Sequence, residues 1–169
     1  TVRAIVVLDM GPDHDVVAFA SRRPGREDDA FRRMLLARLI PQMNFGGDTE
    51  ELRHLHHVID RQSYMLSYWQ RSREDRRYLV VAWHEVPKIV REIFPRLYRE
   101  TDKAPSRMNV IDEEGKIVFG PPIQGGAFTV GRPFPTTLYN WRLQVVLTTT
   151  EELGLRVRRQ RLVELGMVG

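Results

Sequence analysis

Apolar positions follow two periods along this chain, and the switches between them outline its elements. VRAIVVL, near the start, is a β-branched run that predicts a buried strand. A turn built from Gly11, Pro12, Asp13 and Asp15 follows, and DVVAFAS predicts the antiparallel partner strand. After Pro24 and Gly25, acids at Glu27, Asp28 and Asp29 precede Phe31, Met34, Leu35, Arg38 and Leu39 at helical spacing, which predicts a helix that stops near Pro41. Asn44, Gly46 and Gly47 predict a loop. Asp48 and Glu51 then have capping-box spacing ahead of Leu52, Leu55, His56 and Ile59, and this spacing predicts a second helix.

QSYMLSYWQ and RRYLVVAWHE are aromatic and β-branched, and the charged link RSRED joins them, so they predict two central strands connected by a hairpin with a longer loop. Val86, Ile89, Val90, Ile93, Phe94 and Leu97 recur at steps of three and four, the mark of an amphipathic helix that tolerates Pro87 in its first turn and is bent or ended by Pro95. NVIDEEGKIVFG predicts a tight hairpin with Gly115 at positive φ, and PPIQGGAFTVGRPFP an irregular loop with a short strand around Phe128 to Val130. In WRLQVVL, Trp141, Leu143, Val145 and Leu147 alternate with Arg142, Gln144 and Val146, as in a half-buried strand that closes the sheet. Thr149 and Glu152, at capping-box spacing, open a final charged helix. Hairpin-length links outnumber crossovers, so the expected class is α+β, with a central antiparallel sheet of about five to seven strands and helices packed on it. The expected organisation is one domain over 1–169, with a sheet-and-helix core at 1–148 and the C-terminal helix at 149–169.

With 169 residues, 42% of them hydrophobic and 28% charged, the chain can bury a substantial core without staples. It has no cysteine, which excludes disulfides and thiolate metal sites. The net charge of +4 is dispersed, with arginines interleaved among acids as in QRSRED, and no basic stripe or recognition motif accompanies it, so nucleic acid is not an expected partner. No run approaches the eighteen apolar residues of a membrane span, although the charge fades in the closing LVELGMVG as it would toward the start of one.

Candidate chemistry is sparse. His54 and His57, one turn apart on the expected helix, suggest a metal pair that Asp60 or His84 would complete, but a solvated helix face is the stronger account and no metal site is expected. His56 falls on the apolar side as a hydrogen-bonded core residue. Asp9, Asp13 and Asp15 lack the full calcium-loop spacing and read as turn chemistry, as do Asp112, Glu113 and Glu114. No GxSxG, P-loop, HExxH or cysteine nucleophile is present, and no enzyme activity is expected of the domain. The polar-tipped rings stand out: Tyr64, Tyr68 and Trp69 on one strand and Tyr78, Trp83 and His84 on the next have the composition of a small-ligand pocket, with ordinary core packing as the competing account.

NVIDEEGKIVFG followed by a loop, a tryptophan-bearing strand NWRLQVV and a charged helix resembles the extracytoplasmic PAS-like or Cache-type sensor domains of bacterial transmembrane receptors, chiefly sensor histidine kinases. The opening hairpin AIVVLDMGPDHDVVAFAS is similar to the first strands of such domains. The resemblance implies a periplasmic domain that binds a small, often anionic ligand between the sheet and its covering loops and helices. It also implies signalling through the terminal helix as a homodimer, with kinase output carried outside this segment. By the same comparison Arg107 is an anion clamp and Arg132 a weaker one. Tyr64, Tyr78, Trp83 and His84 complete the expected ligand-binding set, and no cofactor is identified. A cytoplasmic PAS- or GAF-like module, which the arginines near the C-terminus suit, is the alternative, with a small enzyme of unrecognised site behind it.

Overall fold

A computed structural model of the chain describes residues 1–12, 14–46, 50–98, 106–123 and 129–147. These group into two compact units, one of Thr1–Ile89 with Pro135–Tyr139, the other drawn from Val90–Phe134 and Asn140–Gly169, where the sequence leads one to expect a single domain. The expected helix at 149–169 lies outside the described residues, as do Asp13, Gly47, Asp48 and Phe128.

The first unit is a five-stranded antiparallel sheet in the order β2-β1-β5-β4-β3. Its strands are β1 (Val2–Asp9), β2 (Val16–Ser21), β3 (Arg53–Ile59), β4 (Gln62–Arg73) and β5 (Arg76–His84). The connection from β2 to β3 carries α1 (Arg26–Met34), which continues through a π turn at Leu35–Leu39 and a 3-10 turn at Ile40–Gln42. Asp28 accepts the Gly25 N–H at 3.2 Å, which meets one of the free donors at the helix start. Phe31, Leu35 and Leu39 recur every fourth residue and are buried with Ala4, Val6, Leu8, Leu55, Leu66, Leu79, Val81 and Trp83. Strand residues alternate between faces, so these form one side of the sheet, the side that α1 covers.

The segment read as a second helix is instead β3, and it pairs with β4 from Arg53↔Tyr68 to Ile59↔Gln62. Leu52, Leu55, His56 and Ile59 fit a helical face, but Leu55 and Ile59 fit an alternating strand equally well, and a run this short takes the structure its neighbour imposes. The hairpin link is Asp60–Arg61, both at positive φ (50° and 64°), the two-residue turn whose twist matches the strands. The link from β4 to β5 is likewise shorter than the expected loop. Arg73 pairs with Arg76 across Glu74 and Asp75, at φ 51° and 62°. Neither turn contains glycine, so the usual signal for it is missing from the sequence.

Helical residues run from Val86–Lys88 (α2) through a π turn at Ile89–Ile93 to Phe94–Leu97 (α3). Pro95 does not stop the helix. Having no N–H, it leaves the carbonyl four residues earlier without its usual donor, and the wide turn before it absorbs the mismatch.

The second unit holds a separate antiparallel sheet in the order β7-β6-β9-β8, from β6 (Ser106–Ile111), β7 (Ile117–Phe119), β8 (Thr129–Pro133) and β9 (Arg142–Leu147). The strands expected to close one sheet therefore build another. Asp112 organises the expected hairpin: its carboxylate accepts the N–H of Glu114 (3.0 Å) and of Lys116 (2.8 Å), and Gly115 takes φ 81°. Phe94 centres an aromatic cluster with Tyr98, Phe119, Phe134 and Trp141, its ring 5.4 Å from Phe119 and 6.0 Å from Phe134. The alternation expected for β9 holds in part: Trp141 is buried, but Val146 is buried too, so both faces of this strand are partly covered.

Two backbone positions test these turns. Arg61→Gly relieves a left-handed conformation at a net gain of about 0.5 kcal/mol, read as a higher urea midpoint. Gly120, at φ 83°, would bring an added Cβ within 2.6 Å of the Met108 carbonyl oxygen. Gly120→Ala therefore lowers stability by at least about 2 kcal/mol in the same assay.

Candidate functional site

The two faces of the five-stranded sheet divide the aromatic set. Leu66 pairs with Trp83, and Met65 with His84. Tyr64 and Trp83 thus point to the side covered by α1, and His84 to the opposite side. Trp83 stacks on Phe31 with centroids 4.1 Å apart, carries the Arg3 guanidinium 4.5 Å above its ring, and lies 6.3 Å from Tyr64. The Tyr64 hydroxyl donates to Gln62 at 3.1 Å, and burial followed by the nearby Asp60 raises its pKa. Tyr68, on the same side, donates to the Asn44 carbonyl at 3.3 Å and receives the Asn44 N–H at 3.0 Å. These rings pack in the core, and the hydroxyls of Tyr64 and Tyr68 are hydrogen-bonded there.

Arg107 on β6 and Arg132 on β8 belong to the second unit, and both are exposed. Arg107 pairs with Val146 and Arg132 with Leu143, three residues apart on β9, so the two arginines take opposite faces of their sheet. Of the six expected ligand-binding residues, the structure brings together Tyr64 with Trp83, and sets His84 and Tyr78 on the other side of the same sheet.

That other side holds the polar constellation. Ser67, central on β4, has its Oγ 3.0 Å from His54 Nδ1 and 2.8 Å from His84 Nε2, while His84 Nδ1 lies 3.4 Å from the Thr1 hydroxyl. One serine hydroxyl thus joins an imidazole on β3 to another on β5. Beside them His56 Nε2 meets Ser63 Oγ at 2.7 Å. The Tyr139 hydroxyl, brought in by Pro135–Tyr139, accepts the His56 N–H at 3.0 Å. The Tyr139 ring stands edge-on to the imidazole at 5.9 Å. His54 and His57, expected to share a helix face, fall on opposite sides of a strand. Among the described residues no group of three or more histidine, aspartate or glutamate side chains is placed to hold a metal ion.

Burial sets the protonation of this cluster. It lowers the pKa of His54, it lowers that of His84 together with neighbouring His54, and with neighbouring His57 it brings that of His56 to about 4. At neutral pH all three imidazoles are therefore neutral. In a neutral pair one ring donates to Ser67 and the serine proton goes to the other, so the chain of hydrogen bonds has a direction. The sequence singled out His84, and paired His54 with it only as a candidate metal ligand, but missed Ser67, the hydroxyl that joins the two. The only available signal was the alternation HxH on β3 opposite SxxxS on β4, legible once β3 is known to be a strand.

No protein-family model matches the chain, and no curated protein matches it. Among the described residues no helix is long and apolar enough to cross a membrane.

The histidine cluster makes stability depend on pH in a known direction. His56 has a folded pKa of about 4 against an ordinary 6.5, so between those values the unfolded chain binds a proton that the fold refuses. Stability is full above pH 6.5 and falls as the pH drops toward 4, by at most about 1.4 kcal/mol per pH unit for this residue. His56→Gln should flatten that slope in melts taken across the window.

Proposed function

We propose that this chain is a ligand-sensing domain of a bacterial membrane receptor, PAS-like or Cache-like in kind, extracytoplasmic, and without catalysis of its own. The observation that carries the reading is the His54–Ser67–His84 constellation, laid across three adjacent strands on the face away from α1. Neutral imidazoles and a hydroxyl on a rigid sheet are hydrogen-bonding groups able to orient a small molecule, and reversing the direction of the serine proton lets the same site meet a donor or an acceptor. The strand order β2-β1-β5-β4-β3, with the helical segment carried between β2 and β3, further supports a PAS-like reading.

Binding here favours sensing over catalysis. Ser67 lies beside an imidazole, as a nucleophile would, but β4 is paired on both sides and its N–H groups are committed to β3 and β5 rather than free to stabilise an oxyanion. A ligand at this face would shift the domain between two states by its difference in affinity for them, and an output domain such as a histidine kinase would read the shift.

Thermal-shift screening of carboxylates, amino acids and nucleotides tests the reading. A true ligand at one hundred times its dissociation constant adds about 2.7 kcal/mol to stability, and Ser67→Ala should weaken its binding about tenfold while the protein stays folded. Absence of any stabilising compound across the panel would sink the proposal.

A further inference from the structure

Four of the described strands are sheet edges, and three of these are protected. β3 carries Arg53, and the Tyr139 hydroxyl accepts its His56 N–H, so an edge donor is already met. β8 carries Arg132 and Pro133, and β7 is three residues long. β2 is different: its six residues, VVAFAS, include neither a charge nor a proline, and among the described residues it pairs on one side only, with β1. Sheets normally blunt such an edge, because its free N–H and C=O groups are a template for another strand.

The β1 ladder fixes which groups are free. The Arg22 N–H donates to the Arg3 carbonyl at 2.9 Å, so by alternation Ala18 and Ala20 also turn their backbone groups toward β1, while Phe19 and Ser21 turn theirs outward. Charges at the two ends give this edge a polarity. Asp15 precedes the strand and Arg22 and Arg23 follow it; all three are exposed, and none forms an ion pair among the described residues. An antiparallel newcomer starts beside the arginines and finishes beside the aspartate, so the matching strand begins acidic and ends basic. β2 itself has that order.

We infer that a second copy of this chain joins β2 edge to edge, two-fold and antiparallel, so that two five-stranded sheets become one. Hydrogen-bonded pairs across the seam must link outward-facing residues, and of the registers this allows, only the one centred on Phe19 sets Asp15 opposite an arginine, the partner's Arg23. In that register Ala18 lies opposite the partner's Ala20, and since Val7 pairs with Ala18 and Ile5 with Ala20, an apolar row crosses the seam twice. Ile5 is 41% exposed without it. The two Phe19 rings meet on the side of α1, where each packs against its own core and carries the Arg32 guanidinium 5.0 Å away. This contact goes beyond the sensing reading: it uses neither the His54 cluster nor the terminal segment through which the resemblance implies pairing.

Sedimentation equilibrium of the whole chain at about 5–500 µM tests the pairing, and the unaltered protein should dimerise reversibly in that range. Asp15→Arg sets arginine against arginine, and Arg22→Asp with Arg23→Asp sets acid against acid, so each variant alone should dimerise about tenfold more weakly. An equimolar mixture of the two should recover the original affinity, because every contact across the seam again joins opposite charges. The substituted side chains are exposed, so melts should not change. The chain has no cysteine, which lets a disulfide report the register. Ala18→Cys mixed with Ala20→Cys should crosslink on mild oxidation, and more readily than either alone, since a non-hydrogen-bonded pair holds its Cα atoms about 4.5 Å apart. A monomer at every concentration, a dimer indifferent to the charge reversals, or a mixture that crosslinks no better than its components would each overturn the β2 pairing. None of these outcomes bears on the ligand screen.

Discussion

The pairing of β5 between β1 and β4 is the constraint on which the first unit depends. Val2 to Asp9 run antiparallel to Tyr78 to His84, which ties the start of the chain to a strand far along it, and β4 holds the other side of β5 through nine successive pairs from Met65↔His84 to Arg73↔Arg76. Once those two registers are set, every side chain on the three strands has its face assigned. Ala4, Val6, Leu8, Leu66, Tyr68, Leu79, Val81 and Trp83 must meet α1, and Ser67, Ala82 and His84 must look the other way. A slip of one residue would exchange the two sets.

This parity decides which residues act together. Trp83 and His84 are neighbours in sequence, but one stacks under α1 against Phe31 and the other joins Ser67 on the opposite face. Proximity in sequence along a strand is therefore evidence of separation. His54 and Ser67, thirteen positions apart, are a cross-strand pair, and His84 reaches the same hydroxyl diagonally from β5. The second unit obeys the same rule: Arg107 shares a face with Asn109 and Gln144, and Arg132 shares one with Val110 and Leu143.

The polar groups that packing encloses carry the functional interest. Burial keeps the imidazoles of His54, His56 and His84 neutral, and hydroxyl partners on Ser63 and Ser67 satisfy them. Asn109 is different, since its amide nitrogen has the Pro121 carbonyl and its oxygen has no partner among the described residues.

The local elements were legible in the sequence wherever one interpretation of the pattern was physically available. VRAIVVL and VVAFAS are too β-branched to be anything but strands, acids ahead of Phe31 mark the start of α1, and Gly115 after Asp112 specifies a tight hairpin. The pattern failed where two periods fit the same residues. Leu55, His56 and Ile59 satisfy a helix and a strand alike, and pairing with β4 chose the strand. The hairpin turn at Asp60–Arg61 escaped notice, and the one at Glu74–Asp75 was expected to be longer, because the strands, rather than a glycine, impose their positive φ. The division of the described strands into two sheets, and of the aromatic set between two faces, was likewise absent from the sequence. Hydrophobic period states that a strand has two sides, whereas only register against strands distant in the chain states which side meets the core.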